Sequence, residues 1–319
     1  MNRQNLIQKI EATTNWDIIV IGGGATGLGV AVDAAARGFR TLLLEADDFS
    51  KGTSSRSTKL VHGGVRYLEQ GDIPLVLEAL RERGLMHRNA PHLVHHLSFI
   101  VPRYQWWEGP FFGIGLKVYD ALAGKLNLAP SRLLSREETI ARIPNIEQEN
   151  LLGGVEYFDG QFDDSRLAVS LAQTATDHEA CVLNYCRVTS VTKTDGMTSG
   201  VEFVDLESGD SHTVAGTVVI NATGIFSDTI RRMDDPSAAI AVQPSQGVHL
   251  VFDRSFLAGD SAIMVPHTDD GRVLFVIPWH GKVLVGTTDT AMDHADIEPR
   301  ALKEEIGFIL RNAARYLSH

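Results

Sequence analysis

The chain has 319 residues, 44% of them hydrophobic and 22% charged, with a net charge of −11. This is the balance of an ordinary globular protein and enough chain for two domains. The acidity argues against a nucleic-acid partner, though not against a local basic pocket for a small anion. The two cysteines, Cys181 and Cys186, make neither a disulfide framework nor a metal motif and suit a reducing compartment. Residues 1–15 do not read as a secretory signal, and no run of about 20 apolar residues is present to span a bilayer.

The first organised stretch is DIIVIGGGATG, residues 17–27. A β-branched run enters Gly22, Gly24 and Gly27, spaced as GxGxxG, and an alanine-rich helical run follows over 28–38. A second apolar run, 41–44, stops at Glu45. Glycine triplets also occur in ordinary turns, but here strand, turn, helix, strand and distal acid are in register, which predicts a dinucleotide site. Gly22 allows the tight turn, Gly24 lets a pyrophosphate approach the backbone, and Gly27 lets the helix sit close to the strand. The helix start offers amides to phosphate. Glu45 is placed to accept from ribose hydroxyls and disfavours a 2′-phosphate, which leaves NAD and FAD both open.

Residues 50–67 are rich in hydroxyls (Ser50, Thr53, Ser54, Ser55, Ser57, Thr58) and in basic groups (Lys51, Arg56, Lys59, His62, Arg66). Gly52, Gly63 and Gly64 permit close backbone approach. The pattern suits a surface wrapping phosphates and a polar ring; the plain alternative is a solvated basic loop. Residues 73–90 read as a helix ended by Pro91. The histidines around that end (His87, His92, His95, His96) are loosely spaced, with no carboxylate or cysteine beside them, so no metal site is expected. Residues 104–128 cluster aromatics, including Trp106 and Trp107, ahead of an apolar run. Either an interfacial membrane segment or a buried helix of a substrate domain accounts for it.

A helix is expected over 165–176, strands over 181–191 and 200–204, and a further strand over 213–220 leading into 221–224. From 239 onward short apolar strands (248–252, 262–265, 273–277, 283–286) alternate with turn signals, which predicts an antiparallel sheet. A last helix is expected to start near Pro299.

The runs IGGGATGLGVAVDAAARG (21–38) and GTSSRSTKLVHGGVRYLE (52–69) resemble the FAD-dependent glycerol-3-phosphate dehydrogenases. The likeness returns in FDDSRL (162–167), NATG (221–224), GVH (247–249) and GTTD (286–289); Leu28 stands where that family usually has a smaller residue. The resemblance implies an α/β fold: a FAD/NAD(P)-binding three-layer Rossmann-like domain with a second α+β antiparallel-sheet substrate domain. The first is expected at 1–72 and 151–238, the second, a substrate-binding cap, at 73–150 and 239–319. It further implies that sn-glycerol 3-phosphate is oxidised at C2 to dihydroxyacetone phosphate, with hydride passing to flavin N5 and electrons on to a membrane quinone.

On that resemblance Gly22, Gly24, Gly27 and Glu45 hold the ADP half of FAD. Thr53, Ser54, Ser57 and Lys59 line its middle and ring, Ala222, Thr223 and Gly224 pass beneath, and Leu60, His62, Gly63, Gly64 and Val188 complete the contacts. A base working near neutral pH points to histidine. His249 is the favoured base or substrate contact and His62 a ring-side contact. Arg66 is the candidate for the substrate phosphate, since its planar fork matches phosphate oxygens, and Tyr67 for closing the pocket. Catalytic roles are therefore expected at His249, His62, Arg66 and Tyr67, with no metal. A cytoplasmic location, peripheral on the inner face of the cell membrane, and a homodimer are compatible with this. The family continues past this point with an arginine-bearing and a glycine–lysine segment, so the chain reads as a fragment of a longer protein. An oxidase using oxygen, or a flavin-binding module without catalysis, remains open; an NAD enzyme would leave the serine-rich run without a role.

Overall fold

The computed structural model describes residues 2–64, 67 and 71–318. In chain order the elements begin with α1 (Arg3–Ala12), β1 (Trp16–Ile21), α2 (Ala25–Ala36), β2 (Thr41–Leu44), β3 (Leu60–Val61), α3 (Ile73–Asn89), β4 (Val94–Arg103) and α4 (Glu108–Ala123). Next come β5 (Arg132–Leu134), α5 (Arg136–Arg142), β6 (Gly153–Phe162), α6 (Asp164–Asp177), β7 (Cys181–Leu183), β8 (Cys186–Thr194), β9 (Met197–Asp205), β10 (Ser211–Asn221) and α7 (Ser227–Asp234). The chain continues through β11 (Ser245–Gln246), β12 (His249–Asp253), β13 (Ala262–Val265), β14 (Leu274–Trp279), β15 (Lys282–Gly286), β16 (Thr290–Ala291) and α8 (Lys303–Ala313). They divide into two compact units: Met1–Ser57, Asp164–Pro244 and Ala291–Glu298 form the first, and Thr58–Asp163, Ser245–Thr290 and Pro299–His319 the second.

The first unit is built on a sheet of order β7-β2-β1-β10-β9-β8. Its core, β7-β2-β1-β10, is parallel, and β9 and β8 extend it antiparallel. Alternation along the central strands feeds two apolar layers. Ile19, Ile21, Leu42 and Leu44 face α1, Phe203 and Val214. Val20 and Leu43 face Leu28, Ala31, Ala35, Ala168 and Ala172 of α2 and α6. Burial on both faces is why these strands read as unbroken apolar runs. Small alanines on the two helices let them sit close together over the sheet. This is the expected Rossmann-like domain.

The expected single strand over 181–191 is broken in two. Tyr185 takes a φ of 53°, and the chain leaves the β2 edge after Leu183 to start a new antiparallel pairing at Cys186.

The second unit carries a sheet of order β12-β15-β14-β13-β4-β6-β3, with β5 also on β6. Its longest pairing joins β4 to β6 from Val94 opposite Phe162 to Arg103 opposite Gly153. The sheet is antiparallel except where β13 runs parallel to β4, Ala262 opposite Phe99. The units part at Ser57/Thr58 and Asp163/Asp164 rather than at 72/73 and 150/151, because β3 and all of β6 are hydrogen-bonded into this sheet. The last helix starts later than Pro299, at Lys303, where the Glu305 carboxylate accepts the Leu302 N–H at 2.8 Å. Helix α4 is neither wholly buried nor wholly exposed. Leu116, Tyr119 and Ala123 are buried, while Trp106, Trp107, Phe111, Ile114 and Val118 lie exposed along and ahead of it.

Two glycines of α2 separate close approach from plain helix propensity. A β-carbon on Gly27 would fall 1.9 Å from the Gly22 carbonyl oxygen, whereas one on Gly29 would meet nothing within 4 Å. Gly27→Ala is expected to lower stability to urea by on the order of 1–3 kcal/mol, and Gly29→Ala to raise it by about 0.5–1 kcal/mol. Equal midpoints for the two variants would contradict the close approach.

Candidate functional site

In the first unit, β1 ends in a turn and α2 begins after its Gly24 cap. Gly22 takes a φ of 110°, a region closed to most side chains, and a β-carbon on it would lie 2.5 Å from the Ala222 carbonyl oxygen. Gly24 caps α2 without any side-chain hydrogen bond. The first amide of α2, Ala25, donates to Ser54 Oγ at 2.8 Å, and a β-carbon on Gly24 would meet that hydroxyl at 3.0 Å. Glu45 sits at the end of β2 with both oxygens engaged: the Gly23 amide donates to Oε2 at 2.5 Å and the Asp47 amide to Oε1 at 2.8 Å.

These groups line a cavity of about 690 Å³. Gly22, Gly24, Glu45, Thr53, Ser54, Val188, Ala222, Thr223 and Gly224 are all in its wall. Gly27 lies behind the turn instead, and Ser57 points to Asp164, whose Oδ2 accepts from its amide at 3.1 Å and its hydroxyl at 2.7 Å. Sequence reasoning passed over Phe226, Ile230, Met233 and Val242, which supply apolar wall; nothing in a short amphipathic helix such as α7 marks it as a cofactor wall. A helix start capped by glycine, with Gly22 and Gly27 admitting no β-carbon, and a carboxylate at the second strand suit a diphosphate joined to a ribose.

The second unit holds a separate cavity of about 400 Å³. Leu60, His62, Gly64 and Tyr67 line it, as do Thr58, Asp159, Arg272, Phe275, Thr287 and Thr288. His62 Nδ1 accepts from the Gly64 amide at 3.1 Å. Gly63 is buried behind the wall, its amide donating to Tyr119 Oη at 2.7 Å. Lys59 takes a φ of 63° and its carbonyl accepts from Phe162 at 3.0 Å. His249 opens β12 opposite Gly286, and its Nε2 lies 3.0 Å from Thr58 Oγ1. Arg66 lies outside the described residues.

Arg272 and Asp159 are charged residues of this wall that the sequence did not single out; Asp289, the last residue of the GTTD run, is a third charged group in it and lies 3.8 Å from Arg272 Nη1. Arg272 follows the Asp270–Gly271 turn. Its Nε lies 3.1 Å from Asp270 Oδ2, its Nη2 donates to the Asp289 carbonyl at 3.0 Å, and its Nη1 is buried without a hydrogen-bond partner. Asp159 sits within β6, and burial pushes its carboxyl up against the opposing pull of Arg83, His62 and Tyr119. Among the described residues no group of three or more His, Cys, Asp or Glu is placed to hold a metal. His87 and His96 pair with each other, Nε2 to Nε2 at 3.1 Å.

Residues 17–319 match the FAD dependent oxidoreductase family. The chain belongs to that family. FAD is accordingly its cofactor, and the cradle of the first unit fits the ADP half. The mitochondrial glycerol-3-phosphate dehydrogenase of Schizosaccharomyces pombe is 42% identical over 333 residues, 99% of this chain and 51% of that protein. The protein of the same name from Homo sapiens is 42% identical over 330 residues, 99% of this chain and 45% of its own. The chain thus spans about half the length of the curated relatives it matches. Among solved structures, the glycerol-3-phosphate dehydrogenase from Bacillus halodurans complexed with FAD superposes with a TM-score of 0.80 at 34% identity, over 99% of this chain and 55% of that one.

Behind the second cavity, Glu305 gathers four donors. Leu302 N–H at 2.8 Å and Gln246 Nε2 at 2.7 Å reach Oε2, and the hydroxyls of Thr288 at 3.0 Å and Thr290 at 2.7 Å reach Oε1. Thr288 in turn accepts the Val248 amide at 2.9 Å, one residue before His249. Burial opposes the charge on Glu305, but these hydrogen bonds outweigh it and hold the carboxyl below its ordinary value. A carboxylate so held contributes stability above the ordinary glutamate range, about pH 4.3, and loses it as pH falls through the lower folded value. Glu305→Gln should therefore cost on the order of 1–3 kcal/mol in urea unfolding at pH 7, with the gap narrowing at pH 3. A gap of constant size would show that the charge does not matter.

Proposed function

We propose that this chain contributes the FAD-binding and substrate-binding portion of a glycerol-3-phosphate dehydrogenase. The supporting observation is the second unit's cavity, which places His62 and Arg272 in one small wall with the hydroxyls of Thr58, Thr287 and Thr288, in a chain 42% identical to enzymes of that name. Glycerol 3-phosphate, a small polyol bearing a dianion, matches such a wall. Its phosphate is assigned to Arg272, whose buried Nη1 makes no hydrogen bond and has the Asp289 carboxylate only at 3.8 Å. Arg66 remains the expected second cation.

FAD, when bound, supplies the redox chemistry by taking hydride from C2. The residues of the chain handle the proton and the orientation. His62 Nδ1 already accepts from the Gly64 amide, so the neutral ring carries its proton on Nε2 and acts there as a donor. His249 has its Nε2 at hydrogen-bond distance from the Thr58 hydroxyl. His249 is not itself in the cavity wall, but Thr58 is. With the Thr58 hydroxyl donating, His249 Nε2 is the unprotonated nitrogen and takes the C2 hydroxyl proton through Thr58, which passes its own proton to Nε2 as it accepts the substrate's. Anaerobic glycerol 3-phosphate should bleach the flavin bands of the full-length protein, and bands that persist under saturating substrate would exclude it as the reductant. Arg272→Ala should raise KM by roughly 10–100-fold, the loss of one charge-assisted contact; an unchanged KM removes Arg272 from the phosphate site.

A quinone in a membrane is the proposed acceptor. Trp106 is 78% and Ile114 67% exposed, and with Trp107, Phe111 and Val118 they lay an apolar, tryptophan-edged face along α4 of the kind that seats in a lipid interface. The paired substitution Trp106→Ser and Ile114→Ser should release the protein from sedimenting anionic liposomes while substrate-driven flavin bleaching persists. Undiminished co-sedimentation would move the membrane contact elsewhere.

A further inference from the structure

Beneath the second cavity lies an ion pair that neither the cofactor nor the substrate assignment uses. Arg83 of α3 is fully buried, and Asp159 of β6 is 2% exposed. Arg83 Nη1 donates to Asp159 Oδ1 at 2.7 Å, while Arg83 Nε and Nη2 are buried without partners. A buried pair left partly unsatisfied is a poor source of stability; packed apolar side chains of similar volume commonly do as well or better. What the pair does here is hold other groups in place.

Tyr119 of α4, 1% exposed, donates its phenolic proton to the Asp159 carboxylate, Oη lying 3.0 Å from Oδ2 and 3.1 Å from Oδ1. A phenol has one proton, so donation to the carboxylate turns the oxygen lone pairs outward. They accept the Gly63 amide at 2.7 Å. The directions follow from the two groups that can only donate: the Gly63 amide makes Tyr119 Oη its acceptor, the Arg83 guanidinium makes Asp159 Oδ1 its acceptor, and the phenolic proton is left for the carboxylate. Space is fixed as tightly as polarity. A β-carbon on Gly63 would lie 2.4 Å from Leu80 Cδ2 and 2.5 Å from Tyr119 Oη. Immediately on either side of that anchored amide, His62 lines the cavity and Gly64 donates to its Nδ1.

We propose that Arg83, Asp159 and Tyr119 form a buried positioning relay that anchors the Gly63 amide, so that His62 faces the cavity in one tautomer, with Nε2–H as a donor and Nδ1 held by Gly64. They are positioning residues, not catalytic ones. What this adds to the glycerol 3-phosphate reading is a fixed division of labour: His62 donates to the ligand and is barred from serving as base, which leaves proton removal to His249. The functional consequence rests on that reading; the anchoring itself does not.

The test is nitrogen NMR on the FAD-loaded full chain labelled at histidine and glycine, comparing wild type with Tyr119→Phe. In the wild type the His62 resonances should show a protonated Nε2 and a bare Nδ1, and the Gly63 amide should exchange slowly with solvent. In Tyr119→Phe the Gly63 amide should exchange at least about tenfold faster, which corresponds to about 1.4 kcal/mol of lost protection, and His62 should become a mixture of tautomers. With glycerol 3-phosphate, kcat should fall about tenfold while KM stays within about twofold, because the phosphate contact is untouched. A wild-type His62 protonated at Nδ1 overturns the relay without any variant, should Tyr119→Phe not fold. Unchanged exchange and tautomer in a folded Tyr119→Phe overturn it as well. If wild-type flavin is never reduced by glycerol 3-phosphate, the substrate reading fails alone, and the two NMR readouts still decide the anchoring.

Discussion

The Gly22 carbonyl oxygen stands where a β-carbon at position 27 would have to be, and much of the first unit follows from that contact. It brings the start of α2 against the end of β1. The same turn is backed by Ala222, whose amide donates to the Ile21 carbonyl at 2.8 Å and whose own carbonyl crowds Gly22. Strand β10 is thereby held in register beside β1, and residues 222–224 join the cavity wall. One steric exclusion thus sets the helix, the neighbouring strand and the mouth of the cofactor cradle together.

The second unit is organised by polar groups that burial makes demanding. Glu305, Asp159 and Glu156 are all almost fully enclosed, and each is met by several donors. Ser98 and Arg132 answer Glu156, Arg83 and Tyr119 answer Asp159, and two threonines with Gln246 answer Glu305. An enclosed carboxylate left without such partners would be costly. The geometry of the surrounding strands and loops is accordingly narrow, and the cavity wall inherits that precision.

The parts of this architecture legible in the sequence are those where one residue type answers one local need. The glycines, the β-branched run and Glu45 state the strand–turn–helix–strand unit directly, and nine residues named for the cofactor lie in one cavity wall. The alternation from 262 to 286 gave the hairpins for the same reason. Strands β4 and β6 were not legible. VHHLSFIVPR and GGVEYFDGQF mix histidines, glycines, a proline and buried acids, so neither shows a clean period of two. Their pairing is a tertiary fact, and with it went Asp159 and the division between the units. Arg272 was hidden differently: a cation two residues past an Asp-Asp turn reads as solvated surface until its orphaned Nη1 is seen.

The parallel pairing of β1 with β10 sets Trp16 opposite Gly216, and that sequence separation governs when the first unit can assemble. At a synthesis rate of about 5–20 residues per second, β1 waits on the order of ten seconds or more for its partner to emerge. Throughout that interval the edge of β1, with Ile19, Val20 and Ile21 on it, has no neighbour on one side, and everything between must first be made and kept from pairing with it wrongly. Long-range parallel closure of this kind is slow even when the whole chain is present. Nascent-chain protection and the order of emergence therefore belong to the biogenesis of this sheet as much as its packing does.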